Sequence, residues 1–507
     1  MDLIVDHKEF PIRVSKISRP SVQTLSKVHR YWRNAEDEGY LERFWPEGNN
    51  YADWIPTIRR ILTAHLPELA SAEITYFAAG TFHRLYRIAN PDSSHVWLFR
   101  VAIPADPVFK TESEVATMEY VRRHTSLPVP RVLAFSSSDN NELGYEWILM
   151  EMLPGVSLRS VWGDMPYDAK VQLFVELAGY VNELLALRFS KLGNIYFADV
   201  VGKLFPQEVS PSRKPTNNMN TVDVDIGPNC DFVVGRTVSQ EFFFEKRVHL
   251  NASRGPFQTS REWFQARLEL LGKRLQNLSV YPEASYYCEN DRELEKNWNR
   301  IDKLFYQLKR LVPRLVRRKN GPEDVGVLWH DDLSEHNLLV DPTTFKLTGV
   351  IDWESVGVVP SFECRGGLPA CLSDRDNKPA PLVLIARGED SGYIYDKETK
   401  KLRNEAEQRK LREVYLSSAL PLYDDTSMAV QWRAKAKQSL SRQLEIGSFQ
   451  HRPWATEQWM IENGFIKKTS ASIGGDLEGT GTNYSDTNLS SILTGRNGAL
   501  GTHRAFL

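Results

Sequence analysis

The sequence predicts an α+β protein of two lobes, a small antiparallel-sheet lobe followed by a larger, mainly helical one. Three observations carry this reading. Residues 74–152 hold five short strand-like runs with one helix after the third. Beyond about residue 157 the apolar residues recur at helical spacing. Between residues 329 and 354 that pattern gives way to a hairpin crowded with oxygen-bearing side chains.

Residues 1–20 read as loosely ordered. Residues 21–68 read as helices, anchored by Trp32, Tyr40, Phe44, Trp45, Trp54, Ile55, Ile58 and Ile61 and broken at Pro46-Glu47-Gly48. Together, 1–70 form a helical extension packed on the body. The small lobe spans 71–155. Its strands are expected at 74–77, 82–89, 95–102, 132–135 and 147–152, with a helix over 111–124 and turns at Ala79-Gly80 and Asn90-Pro91-Asp92. The large lobe spans 156–466. Val171, Phe174, Ala178, Val181 and Leu185 make one face of a long helix. Residues near 198–258 interrupt the lobe as an insertion, read either as a cover over the substrate site or as a surface elaboration. Thr259 and Glu262 form a capping box for a helix through Leu271. Leu294, Trp298, Ile301, Phe305, Leu308 and Val312 mark a further helix, and 402–445 read as charged helices. From Lys467 the chain is rich in Gly, Ser, Thr and Asn, so 467–507 is expected to be a disordered tail.

The most informative run is Trp329-His330-Asp331-Asp332-Leu333-Ser334-Glu335-His336-Asn337, followed by Gly349-Val350-Ile351-Asp352-Trp353-Glu354. Residues 338–340 and 347–353 read as two apolar strands joined by Asp341-Pro342-Thr343-Thr344, which is turn chemistry. Folding about Thr344 and Phe345 pairs Val340 with Gly349, Leu338 with Ile351 and Asn337 with Asp352. Cross-strand partners share a face. An amide oxygen and a carboxylate therefore emerge side by side, a hard-oxygen pair suited to magnesium with phosphates and waters completing its octahedron. Asp332 lies on the loop entering the hairpin, where a carboxylate can accept a hydroxyl proton.

This constellation resembles the catalytic loop and metal-binding segment of the protein-kinase-like superfamily. His330, Asp332 and Asn337 follow its His-x-Asp-x-x-x-x-Asn order, and the ending Val-Ile-Asp-Trp-Glu is similar to the aminoglycoside phosphotransferase and choline kinase branch. The insertion resembles that of uncharacterised fungal members. The resemblance covers roughly 72–360 and implies a protein-kinase-like fold and ATP- and Mg2+-dependent transfer of a phosphoryl group to a small-molecule hydroxyl acceptor. By that resemblance Asp332 is the catalytic base, His330 braces the loop, and Asn337 and Asp352 are the magnesium ligands. The turn with Gly80, Thr81, Phe82 and His83 covers the nucleotide phosphates. Arg100 stands on the third strand where the family carries Lys, with Glu114 as its helix partner and Lys110 as an alternative cation. Glu151 and Met152 contact adenine, mostly through main chain. Two departures stand out. Asp331 replaces the usual Gly and adds a negative charge beside the base, and Gly357-Val358-Val359-Pro360 lacks the usual Gly-Asp-Pro.

Composition narrows the partners. The 63 basic and 65 acidic residues of the 507 nearly cancel, so no nucleic-acid footprint is expected. No apolar run is long enough for a membrane span, and the acidic start reads as neither signal peptide nor mitochondrial presequence. Cys230, Cys288, Cys364 and Cys371 form no zinc pattern and suit a reducing, cytoplasmic setting. Oligomeric state is not legible. The alternative to a kinase is a kinase-like nucleotide-binding module without turnover. A metal-dependent phosphohydrolase would need more His ligands than His336 offers.

Overall fold

The computed structural model describes residues 10–28, 54–80, 82–90, 95–205, 231–243, 247–280, 291–316, 321–364, 367–372, 397–419, 427–444 and 453–466. The strands of the small lobe are β1 (Ile12–Arg13), β2 (Glu73–Ala79), β3 (His83–Ala89), β4 (Val96–Ala102), β5 (Val132–Ser136) and β6 (Glu146–Glu151). They form one sheet in the order β1-β5-β6-β4-β3-β2. Alternation of apolar side chains fixes the register. Tyr86 pairs with Phe99, and Phe99 with Leu149, so Tyr86, Phe99 and Leu149 share the buried face. Phe99 stacks on Trp147 at 4.9 Å between ring centroids. Helix α1 (Ile55–His65) buries Ile58, Ile61 and Leu62 in the same core, which is the packing expected of the N-terminal extension. The other anchors expected there, Trp32 to Trp45, lie outside the described residues, as does 467–507.

Two expectations change. Residues 1–20 were expected to be loose, yet Ile12 and Arg13 add a parallel strand to β5, pairing with Ala134 and Phe135. A strand of two residues is too short to leave a period in the sequence. Helix α2 (Phe109–His124) begins before the expected Thr111. Its opening is set by a group remote in sequence. Glu146 of β6 accepts from the Val108 amide at 2.7 Å and from the Thr111 hydroxyl at 2.5 Å, doing the work of an N-cap side chain.

The large lobe holds α3 (Tyr167–Ala186), α4 (Ser260–Val280), α5 (Asp291–Leu315), α6 (Lys397–Ser418), α7 (Met428–Gln443) and α8 (Pro453–Glu462). Thr259 caps α4 by accepting from the Glu262 amide at 3.2 Å, while Glu262 reaches back to Gln258, one residue beyond the expected box. Short strands β7 (Val156–Ser157), β8 (Arg188–Phe189), β9 (Asn194–Phe197), β10 (Phe232–Gly235), β11 (Gly326–Trp329), β12 (Leu338–Val340), β13 (Leu347–Val350) and β14 (Gly357–Pro360) thread among the helices. They form the sheets β10-β9, β14-β11-β8 and β13-β12-β7. Strand β14 is the segment that lacks Gly-Asp-Pro, and its valines pair with β11. Among the described residues no helix is long and apolar enough to cross a membrane.

Where it is described, the insertion contributes a strand and buried side chains. Strand β10 zips antiparallel onto β9, with Phe232 opposite Phe197. Val200, Leu204, Phe205, Val238 and Phe243 enter the core of the small lobe. Phe232, Val234, Phe242 and Phe257 enter the core of the large one. Arg236 donates from Nη2 to both oxygens of Asp106, at 2.7 and 2.8 Å, and covers the Phe109 ring. The insertion therefore joins the two cores.

Burial holds the Glu146 carboxyl up at about 8, against the pull of its bonds to Thr111 and Val108. A carboxyl raised on folding binds its proton more tightly in the native state, so stability is lost as pH climbs from the unfolded value near 4.5 towards 8. Melting temperature measured over this window should fall with pH in the wild type. Glu146→Gln, which cannot ionise, should flatten that slope.

Candidate active site

The loop between β11 and β12 carries the chemistry. His330 is buried, and its Nε2 donates to the Ile351 carbonyl at 3.1 Å. Desolvation lowers its pKa, so the ring is neutral and the proton sits on Nε2 to make that bond. The Trp353 ring meets it edge-on at 5.0 Å, and the Trp353 indole donates to the Val350 carbonyl at 2.8 Å. His330 thus ties the loop to the segment that carries Asp352. Asn337 donates from Nδ2 to the Asp332 carbonyl at 3.0 Å and to Asp332 Oδ2 at 2.8 Å. Those bonds hold Asp332, which is exposed at the rim, and leave the Asn337 amide oxygen to face elsewhere.

The hairpin differs from expectation by one residue. Leu338 pairs with Val350 and Leu339 with Gly349, and a register shift then brings Val340 to Leu347. The Asp341 amide donates to the Lys346 carbonyl and that of Phe345 to the Asp341 carbonyl, so the turn centres between Thr343 and Thr344, one residue earlier than expected, and Thr348 is the extra residue between the pairs Val340–Leu347 and Leu339–Gly349. Asn337 therefore lies across from Ile351, whose amide donates to it at 3.0 Å, and not across from Asp352. Strand β13 also stops at Val350 and does not run to Trp353. A slip of one residue would turn Asp352 to the wrong face. Asp352 instead adopts φ 66, a left-handed turn that re-aims its side chain.

Around Asp352 the protein gathers charge from three directions. Arg100 on β4 forms a buried ion pair with Glu114 on α2. Lys110, one helical turn before Glu114, is 2.5 Å from Glu354 and 3.0 Å from Nε2 of His83. His83 is also 3.2 Å from Glu354. The donor atoms of His83, Asp352 and Glu354 all lie within 4.8 Å of one another. Desolvation and the Glu354 charge raise the Asp352 carboxyl, with Arg100 opposing them. Burial, followed by the charges of Lys110, Arg100 and Arg84, drives the His83 pKa well down, so its imidazole is neutral and accepts from Lys110. Asp352 and Glu354, two carboxylates close together beside the His83 imidazole, are a donor set that can hold a divalent cation.

The turn after β2 is closed by the Gly80 amide donating to the His83 carbonyl at 2.9 Å, and Arg84 donates to the carbonyls of Gly80 and His83. A Cβ on Gly80 would meet nothing within 4 Å, so packing inside the protein gives no reason for glycine there. Phe82 is buried against Phe243 of the insertion, at 6.1 Å. Thr81 lies outside the described residues. At the junction of the lobes the Glu151 amide donates to Arg131 and that of Met152 to Val96. A ligand edge docking here meets these two residues through carbonyls and not through N–H groups. Gly155, with φ +103, brings the exit of this segment so close to β12 that a Cβ would lie 2.6 Å from the Val340 carbonyl oxygen.

Sequence reasoning assigned no role to Glu354 and held Lys110 only in reserve. The signals were present. Lys110 and Glu114 share a helix face at i, i+4 spacing, and Glu354 follows Asp352 by two.

Comparison with known proteins adds an independent result. Residues 73–217 and 251–361, just over half of the chain, match the phosphotransferase enzyme family, APH. The unmatched gap falls inside the insertion. The chain is 26% identical over 352 residues to a subtelomeric hrmA-associated cluster protein of Aspergillus fumigatus, covering 63% of this chain and 64% of that protein. It is 28% identical over 254 residues to altered inheritance of mitochondria protein 9 of Candida tropicalis, a protein named as mitochondrial, covering 48% and 40% respectively. The chain thus spans less than two-thirds of the length of these relatives. Among solved structures, the gentamicin complex of APH(2″)-IIa overlaps 82% of this chain and 97% of its own, at 12% identity and a TM-score of 0.39.

Arg100→Met leaves Glu114 buried without its cation and should cost about 3–5 kcal/mol of stability by chemical denaturation. Pairing it with Glu114→Gln should recover most of that loss, because the uncompensated charge is gone.

Proposed function

The chain belongs to the phosphotransferase enzyme family, and on that premise we propose that it is an ATP- and magnesium-dependent kinase acting on a hydroxyl of a small molecule. The observation that carries this is the bond from Asn337 Nδ2 to Asp332 Oδ2. One amide orients an exposed carboxylate with its nitrogen and offers its oxygen to a cation. Base and metal ligand are thereby set at a fixed separation, which is what phosphoryl transfer requires.

In this reading Asp332 accepts the proton of the acceptor hydroxyl as its oxygen attacks the terminal phosphate. His330 holds the loop in place from behind. Asn337 and Asp352 would hold magnesium, which supplies charge neutralisation between the phosphates. The turn of Gly80, Thr81, Phe82 and His83 covers those phosphates, and the openness around Gly80 leaves room for them. Arg100, held straight by Glu114, is the cation on the strand. Glu151 and Met152 face adenine through their carbonyls. Rate enhancement comes from positioning and fixed charge, with little covalent work for the protein.

We assign the domains as 1–70, 71–155 and 156–466 with the insertion near 198–258, and the location as cytoplasmic. The free, buried thiols of Cys364 and Cys371 suit a reducing compartment. Cell fractionation checks the location against the mitochondrial name of the Candida tropicalis relative.

A panel of small alcohols screened for ADP release tests the function. Asp332→Asn should lower turnover by about 10²–10⁴-fold while ATP binding is retained. ATP binding with no turnover on any acceptor, and no difference between wild type and Asp332→Asn, would leave a nucleotide-binding module.

A further inference from the structure

Two cations bear on Asp352, and they are held differently. Arg100 lies in the middle of β4, its planar guanidinium closed on Glu114. Lys110 lies in the first turn of α2 and is 3% exposed. Its ammonium spans two elements. It donates to His83 at the end of the turn after β2, and it pairs with Glu354 just beyond Asp352. The phosphates of a nucleotide bound here would run between those same two elements.

Resting on the reading of this cleft as a nucleotide site, we propose that Lys110 is a second phosphate-binding residue, held by Glu354 in the free protein and transferred to the terminal phosphate of ATP. The side chain suits the move. An ammonium on four methylenes swings through several ångströms while its helix stays still, whereas the guanidinium of Arg100 is fixed in its fork. Charge suits it as well. Glu354 shares its 4.8 Å neighbourhood with Asp352 and His83, so once Lys110 is released Glu354 would be free to join Asp352 in holding a divalent cation. Each buried charge has a counterion before and after the exchange.

A contact to the terminal phosphate discriminates ATP from ADP. A residue that only supports the fold weakens both alike. Calorimetric titration of wild type, Lys110→Met and Lys110→Met/Glu354→Gln with ATP and with ADP, each with magnesium, separates the two. The double variant carries no unpaired buried carboxylate, so it reports even where the single variant folds poorly. In both variants ATP affinity should fall by about 10–100-fold more than ADP affinity, the worth of one charge-assisted hydrogen bond, any loss from Glu354→Gln being common to the two nucleotides. Equal losses for ATP and ADP would overturn the proposal, as would unchanged ATP affinity, and either result leaves the nucleotide site standing. A wild-type protein that binds neither nucleotide removes the site and the proposal together.

Discussion

Carboxylates withdrawn from water in one small volume persist only where cations are withdrawn with them, and this requirement decides where helix α2 lies. From Phe109 to Val121 the helix is buried on every side. Its charged residues do not share a solvent face, and they find their partners in several different elements. Glu112 takes Arg13 from the N-terminal strand β1, and Glu114 takes Arg100 from β4. Lys110 takes Glu354 from beyond the hairpin, and Glu119 takes Arg122 and Arg123 of its own last turn. The opening of the helix is closed by Glu146 of β6. A helix clamped by that many distinct partners has one position, and it is the position that brings the sheet, the phosphate turn and the Asp352 segment together.

The insertion follows from the same economy of contacts. A kinase-like chain joins its lobes at the segment around Glu151 and Met152, and this protein adds a second tie. Arg236 holds Asp106 in the loop before α2, Phe243 packs on Phe82 behind the phosphate turn, and Asp199 takes a second contact from Arg13. Buried Asn194 accepts from the Val238 amide and donates to the Val356 carbonyl, four residues beyond Asp352. Both walls of the cleft are thus in contact with inserted sequence. The family match omits 218–250, the stretch that carries Arg236, Val238 and Phe243.

Much of this was legible beforehand because it rests on local pattern. Alternation along 74–102 and 132–151 placed the small-lobe strands to within a few residues, and the His330-Asp332-Asn337 spacing singled out the loop between β11 and β12. What the sequence hid were effects of single backbone angles and distant partners. The hairpin register slipped because the turn closes one residue early and Thr348 bulges between two pairs, and Asp352 beyond it takes a left-handed φ of 66. Strand β1 has no period to read. Lys110 was legible only as an alternative cation and Glu354 carried no reading, since only the folded chain shows that the two meet. The insertion left its two readings open because Phe205, Phe242 and Phe243 declare burial without declaring against what.

The account turns on Asp352 as the place where nucleotide and metal meet. Thermal melting of wild type and Asp352→Ala with ATP, in the presence and absence of magnesium, tests that most directly. Wild type should gain stability from ATP with magnesium and much less without it, and Asp352→Ala should lose the magnesium-dependent part while melting normally unliganded. A folded wild-type protein whose melting responds to no nucleotide, or a magnesium-dependent gain that survives in Asp352→Ala, would contradict the account.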